Sequence, residues 1–85
     1  MQSEKLLRRV LSGRADSNIR FRDLRKLLLQ LGFEERVRGA HHIFTRTGIA
    51  ELINLQREAG DAKPYQVRQV RTVLKRYALG EGADA

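Results

Sequence analysis

The apolar residues of this chain change their spacing twice, and this change limits what the chain can fold into. Up to Gly32 they recur every three or four positions, which predicts amphipathic helices. From Phe33 to Gln56 they tend to alternate with polar residues, as in strands that bury one face. After Pro64 the helical spacing returns. The predicted order is helix, helix, three strands, helix, which indicates a two-layer α+β fold.

Three helices are expected. The first covers residues 3–12 and the second covers 21–31, with a polar connector between them and Gly32 just beyond the second. The last begins at Pro64, a residue favoured at the first helical position, and runs to about residue 79. Gly80 and Gly82 are expected to end it.

Three short strands are expected between these helices, with turns near Gly39 and Gly48. Short connections favour antiparallel neighbours, so the strands should form a small antiparallel three-stranded sheet. The helices would pack on one face of that sheet. The other face would be open to a ligand or partner.

The chain is short and strongly basic. Its 85 residues predict one core, and its formal net charge is +7. The chain has seventeen Lys and Arg residues and ten Asp and Glu residues. Thirteen of the seventeen are arginine, which binds a phosphate through two parallel hydrogen bonds. This balance is typical of nucleic-acid-binding proteins. A protein with an acidic partner, or simply a solvated basic surface, would have the same composition.

Composition also excludes some kinds of site. The chain has no cysteine, hence no disulfide, thiolate metal ligand or thiol nucleophile. Its longest run of large apolar residues is residues 27–29, far short of the roughly 20 that a membrane-spanning helix needs. Charged residues interrupt the N-terminus, so no signal peptide fits there. We expect no membrane partner and a cytoplasmic protein.

The only two histidines, His41 and His42, stand side by side. Histidine exchanges protons near neutral pH, so both are candidate catalytic residues on a basic domain. On a regular strand their side chains point to opposite faces. If Phe44 is a core residue, His42 points inward and His41 outward, whereas the other register reverses this. Either one could instead be an ordinary surface or packing residue. No third ligand accompanies them, so no metal site is predicted.

Three runs of residues together resemble the HicA toxin family of bacterial toxin-antitoxin systems. They are LGF at residues 31–33, RGAHHIF at 38–44 and KPYQVRQ at 63–69. The resemblance covers about residues 21–79. It implies a fold similar to a double-stranded RNA-binding domain, cleavage of mRNA without a metal or other cofactor, and neutralisation by a HicB-like antitoxin protein.

The Gly-Ser-His motif of that family maps onto Gly39, Ala40 and His41, with alanine in place of serine. Some relatives place the histidine one position later, which keeps His42 as a candidate. The resemblance also divides the chain into an N-terminal helical extension and connector (1–20), the HicA-like domain (21–79) and a frayed tail (80–85). The candidate RNA-binding residues are Arg36, Arg38, Gly39, Arg46, Lys63, Arg68, Arg71 and Lys75.

Two other functions remain open. The same scaffold could be a catalytically silent module that binds RNA or an antitoxin, since Ala40 removes the hydroxyl of the family motif. Alternatively, the last helix could present its basic residues to DNA.

Overall fold

The computed structural model of the chain describes residues 2–57 and 60–79. The helices are α1 (Gln2–Ser12), α2 (Phe21–Gln30) and α3 (Pro64–Arg76), and the strands are β1 (Glu34–Arg38), β2 (His41–Thr45) and β3 (Ile53–Gln56). The connector after α1 contains one 3-10 turn, Asp16–Asn18. The predicted order of helices and strands is therefore confirmed. The predicted frayed tail lies outside the described residues.

The strands form one antiparallel sheet in the order β1-β2-β3, as predicted. Phe44, Ile53 and Leu55 lie on the face under the helices and are fully buried. The alternate residues of β2 and β3 point to the other face of the sheet. Three of them are exposed there: His41, Asn54 and Gln56. The sheet thus has one packed face and one open face.

All three helices contribute to one core. Leu7 and Val10 of α1 are buried in the same cluster as Leu24 of α2 and Val70 of α3. Helix α1 packs against both α2 and α3. The sequence predicts that this helix belongs to an N-terminal extension (1–20), and it packs into the same core as α2 and α3.

Two helices end in the same backbone motif. After α2, Gly32 has φ of +91°, and the N–H of Phe33 donates to the carbonyl of Leu28. After α3, Ala78 takes the corresponding position with φ of +55°, and the N–H of Leu79 donates to Leu74. This left-handed turn satisfies the last carbonyls of a helix. Helix α3 therefore ends at Arg76, three residues earlier than predicted.

None of the helices in the described ranges is long and apolar enough to cross a membrane.

Candidate functional site

The open face of the sheet carries a polar and basic surface at the end where β1 turns into β2. The strand register places Arg38 opposite His41, and His41 opposite Gln56. One step further along, Arg36 lies opposite Ile43 on the same face. All of these side chains are exposed except Ile43, which is half-buried. We call Arg36, Arg38, His41, Asn54 and Gln56 the open-face site.

His41 is exposed and held by one side chain. Its Nδ1 lies 3.3 Å from Oδ1 of Asn54 on β3. An amide oxygen only accepts hydrogen bonds, so Nδ1 carries the proton in this contact and Nε2 of the neutral ring keeps its lone pair. A base held in this way can take a proton from a ligand on the open face.

The two arginines beside His41 are available to an anion. Arg36 and Arg38 form no ion pair with any residue that the structure describes. Both are exposed on β1, which lies at one edge of the sheet beside β2, so their side chains can reach across to a phosphate held over β2. The open-face site therefore combines a proton acceptor with two positive charges, which suits a phosphodiester.

Gly39 shapes the turn that brings β1 and β2 together. The loop between the strands is Gly39-Ala40, and Gly39 has φ of +58°. A glycine at the first of two loop positions is typical of a type II′ hairpin. A Cβ built on Gly39 would meet nothing within 4 Å, so the backbone conformation is what favours glycine there. Ala40 lies in the same turn, and its carbonyl accepts the N–H of Arg57 at 2.6 Å.

His42 points to the packed face, as predicted for a chain in which Phe44 is buried. Only 7% of His42 is exposed, and Phe21 packs against it edge to face with 5.3 Å between ring centroids. Its Nδ1 lies 2.6 Å from Oε2 of Glu35. His41 and His42 therefore cannot act on the same phosphate in this structure.

Glu35 is the centre of an ion-pair network under the sheet. Arg25 donates from Nε and Nη2 to the two carboxylate oxygens, each at 2.7 Å. Hydrogen bonds from Arg25, and then from His42, hold the pKa of the Glu35 carboxyl below its usual value against the opposing effect of burial. An ionised carboxylate only accepts, so Nδ1 of His42 carries the proton here too.

The other predicted RNA-binding residues do not all lie near His41. Lys63 precedes α3 and is exposed near the same end of the sheet, because Gln66 of that helix donates to the carbonyl of Gln56. Arg46 follows the other end of β2, about 16 Å from His41 at the usual rise per strand residue.

The basic residues predicted to share a face of α3 separate into two groups. Arg68 and Lys75 are exposed. Arg71 lies between α3 and the N-terminal part of the chain, where its Nη1 donates to Oδ1 of Asp16 at 2.8 Å and to the carbonyl of Val10 at 3.2 Å. Arg71 thus binds α1 and the connector to α3.

Three residues of these networks were missed from the sequence: Asn54, Glu35 and Arg25. Asn54 and Glu35 each carry a signal that could have marked them. Asparagine is depleted in strands, so Asn54 within a predicted strand is unusual. Glu35 is a carboxylate between Phe33 and Val37, at a position where the alternation predicts an apolar residue.

No family model, curated protein or solved structure matches the chain. The resemblance to the HicA toxins stays a prediction. Among the described residues, no group of three or more histidine, aspartate or glutamate side chains is arranged to hold a metal ion.

Proposed function

We propose that this chain is an mRNA-cleaving endoribonuclease of the HicA toxin type, with His41 as its proton-transfer residue. The observation that carries the proposal is the pairing of His41 with Asn54 on the open sheet face, beside Arg38, which forms no ion pair with any described residue. Such a toxin would act on mRNA in the cytoplasm. A HicB-like antitoxin could neutralise it by covering the same basic face.

The proposed reaction starts at a ribose 2′-hydroxyl. Nε2 of His41 takes the hydroxyl proton as the 2′-oxygen attacks the adjacent phosphorus. The bond from phosphorus to the 5′-oxygen then breaks, which leaves a 2′,3′-cyclic phosphate on one product and a 5′-hydroxyl on the other. The 5′-oxygen receives its proton from water or from the imidazolium of His41. General-base catalysis of this kind contributes about 10²- to 10⁴-fold.

The two arginines on β1 have a separate role in this reaction. Negative charge grows on the non-bridging phosphate oxygens as the 2′-oxygen attacks. Arg36 and Arg38 lie on the same face as His41 and can donate to those oxygens. This role requires no metal ion. Buried His42 is not used in it.

A second candidate is a silent RNA-binding or antitoxin-binding module. It is favoured by Ala40, which has no hydroxyl at the position of the family serine. The DNA-binding alternative is weaker, because Arg71 pairs with Asp16 and so interrupts the basic face of α3. A preference for RNA over duplex DNA in a binding assay would favour the RNA-binding module over the DNA-binding alternative.

Expression in bacteria tests the proposal. The parent, His41→Ala, His42→Gln and Arg8→Gln are induced while growth and transcript integrity are followed. Arg8 is exposed on α1, outside the sheet, and Arg8→Gln serves as the control substitution. The proposal predicts growth arrest and mRNA cleavage with the parent and the control, and relief with His41→Ala.

Two results would contradict the proposal. If His42→Gln relieves toxicity and remains folded while His41→Ala stays toxic, the assignment of His41 as the catalytic residue is wrong. If the folded parent binds RNA but leaves growth and transcripts unchanged, the silent module is the better account, and Ala40→Ser then tests whether the missing hydroxyl is the reason.

A further inference from the structure

His42 leaves one polar atom without a partner beneath the sheet. Its Nδ1 binds Glu35, but its Nε2 is buried and has no hydrogen-bond partner among the described residues. A buried polar atom in this state destabilises the fold, and native proteins contain few of them. Such an atom beside a charged cleft is a candidate ligand-binding group.

The cleft that His42 lines is strongly basic. Arg20, Arg22, Arg25 and Arg57 line it together with His42, and Phe21 and Gly60 complete the wall. Arg25 is paired with Glu35, and Arg22 lies 3.9 Å from Asp23. In the described parts of the chain, neither Arg20 nor Arg57 forms an ion pair. Two of the four arginines that line the cleft thus carry positive charge that no described residue pairs.

The backbone around the cleft adds to that charge. Arg20 is the N-cap of α2, so the cleft lies at the positive end of this helix. The N–H of Phe21 donates to the carbonyl of Gly60, which holds the helix against the opposite wall. Carboxylates also lie nearby: Glu35 binds His42 and Arg25, and Asp23 lies 3.9 Å from Arg22. Asp61 pairs with Arg20 in an isolated backbone bridge and is exposed.

We propose that this cleft binds one phosphate group, held by Arg20, Arg57 and Nε2 of His42. Arginine meets phosphate oxygens with two parallel hydrogen bonds. Phosphate also suits Nε2 in either protonation state of the ring. A phosphate monoanion donates its O–H to the neutral nitrogen, and an imidazolium donates to a phosphate oxygen. An ionised carboxylate would satisfy only the imidazolium.

Because Nε2 is buried, a ligand has to open the cleft to reach it. Both Arg20 and Arg57 are exposed and can move outward around it. The phosphate could be free or at the end of a nucleic-acid strand, whereas a backbone phosphodiester, which has no O–H, would bind only the imidazolium. This site lies on the opposite face from His41, so the proposal stands whether or not the chain cleaves RNA.

Nuclear magnetic resonance of the His42 ring nitrogens tests the proposal. Inorganic phosphate is titrated into the full chain at constant ionic strength and pH. The double variant Arg20→Gln/Arg57→Gln is compared with Arg8→Gln/Arg14→Gln, which removes the same charge from exposed positions outside the cleft. The proposal predicts a saturable shift of Nε2 in the parent and the control, with an affinity at least about tenfold weaker in the cleft variant.

The proposal is overturned if the His42 nitrogens do not shift with phosphate, or if they shift equally in the cleft variant. Two 2′-O-methyl oligonucleotides, with and without a 5′-phosphate, then identify the source. A shift with only the phosphorylated strand indicates a strand end. A shift with both indicates a backbone phosphate, and a shift with neither indicates free phosphate.

Discussion

Removing Arg25 should destabilise the fold by an amount that depends on Glu35. Arg25→Ala deletes two hydrogen bonds to a carboxylate whose side chain is only 10% exposed. Hydrogen bonds to charged groups contribute about 1.5–3 kcal/mol each. Because the Arg25 side chain is 38% exposed, water offsets part of the loss, and we expect about 2–3 kcal/mol in total. For a domain of this size that lowers Tm by about 10–20 °C.

Urea denaturation of Arg25→Ala, Glu35→Gln and the double variant measures the coupling between them. We expect the double variant to be more stable than the sum of the single changes predicts, by at least about 1 kcal/mol. Arg22→Ala, whose side chain is 74% exposed with only a 3.9 Å contact to Asp23, is the control and should change stability by less than about 0.5 kcal/mol. Additive effects of Arg25→Ala and Glu35→Gln would refute the ion-pair network.

The same network predicts how stability depends on pH. The folded state lowers the pKa of Glu35, so its contribution is present at neutral pH, begins to fall near the usual carboxyl pKa of about 4.3, and is lost as pH drops through the folded value. Glu35→Gln removes this part of the acid sensitivity. In Arg25→Ala the carboxylate loses its main partner, so its folded pKa lies closer to the usual value, and the acid-dependent loss of stability should be smaller and complete at a higher pH. Identical pH profiles in the parent and Glu35→Gln would contradict this.

Three further predictions concern the helix ends, the attachment of α1 and the open face. Ala78→Gly should raise Tm by relieving about 1 kcal/mol of left-handed backbone strain, whereas Gly32→Ala should lower it by a similar amount or more; calorimetry measures both. Arg71→Gln should weaken the packing of α1 by about 1–3 kcal/mol and speed its amide hydrogen exchange, and unchanged exchange would contradict the role given to the Asp16 pair. Arg36→Gln should weaken RNA binding and lower the dependence of affinity on salt by about one unit of the logarithmic slope; an unchanged slope would place the RNA elsewhere.

The order of helices and strands follows from the sequence because each type of element has its own apolar spacing. The inward direction of His42 follows in the same way, because Phe44 two positions later is a core residue. Alternation along a strand predicts which face of the sheet each side chain points to. It does not predict which residue of a neighbouring strand or helix lies next to that side chain.

The networks around the histidines could not be predicted because they depend on pairings between distant segments. Asn54 meets His41 only after β2 and β3 pair, and Arg25 meets Glu35 only after α2 packs under the sheet. Arg71 has helical spacing from the exposed residues Arg68 and Lys75, yet it donates to the carbonyl of Val10 in α1 and forms an ion pair with Asp16 of the connector. Ala78 gave no signal for the end of α3, because alanine seldom adopts the left-handed conformation.

Single-turnover cleavage of an RNA oligonucleotide by the purified chain tests the role of His41 most directly. Rates are measured at saturating protein for the parent and His41→Ala, with RNA affinity measured in parallel and Arg8→Gln as the control. The account predicts that His41→Ala slows cleavage by about 10²- to 10⁴-fold while affinity changes little, and that the parent forms a 2′,3′-cyclic phosphate. Cleavage at the parental rate by His41→Ala, or a folded parent that binds the RNA without cleaving it, would contradict it.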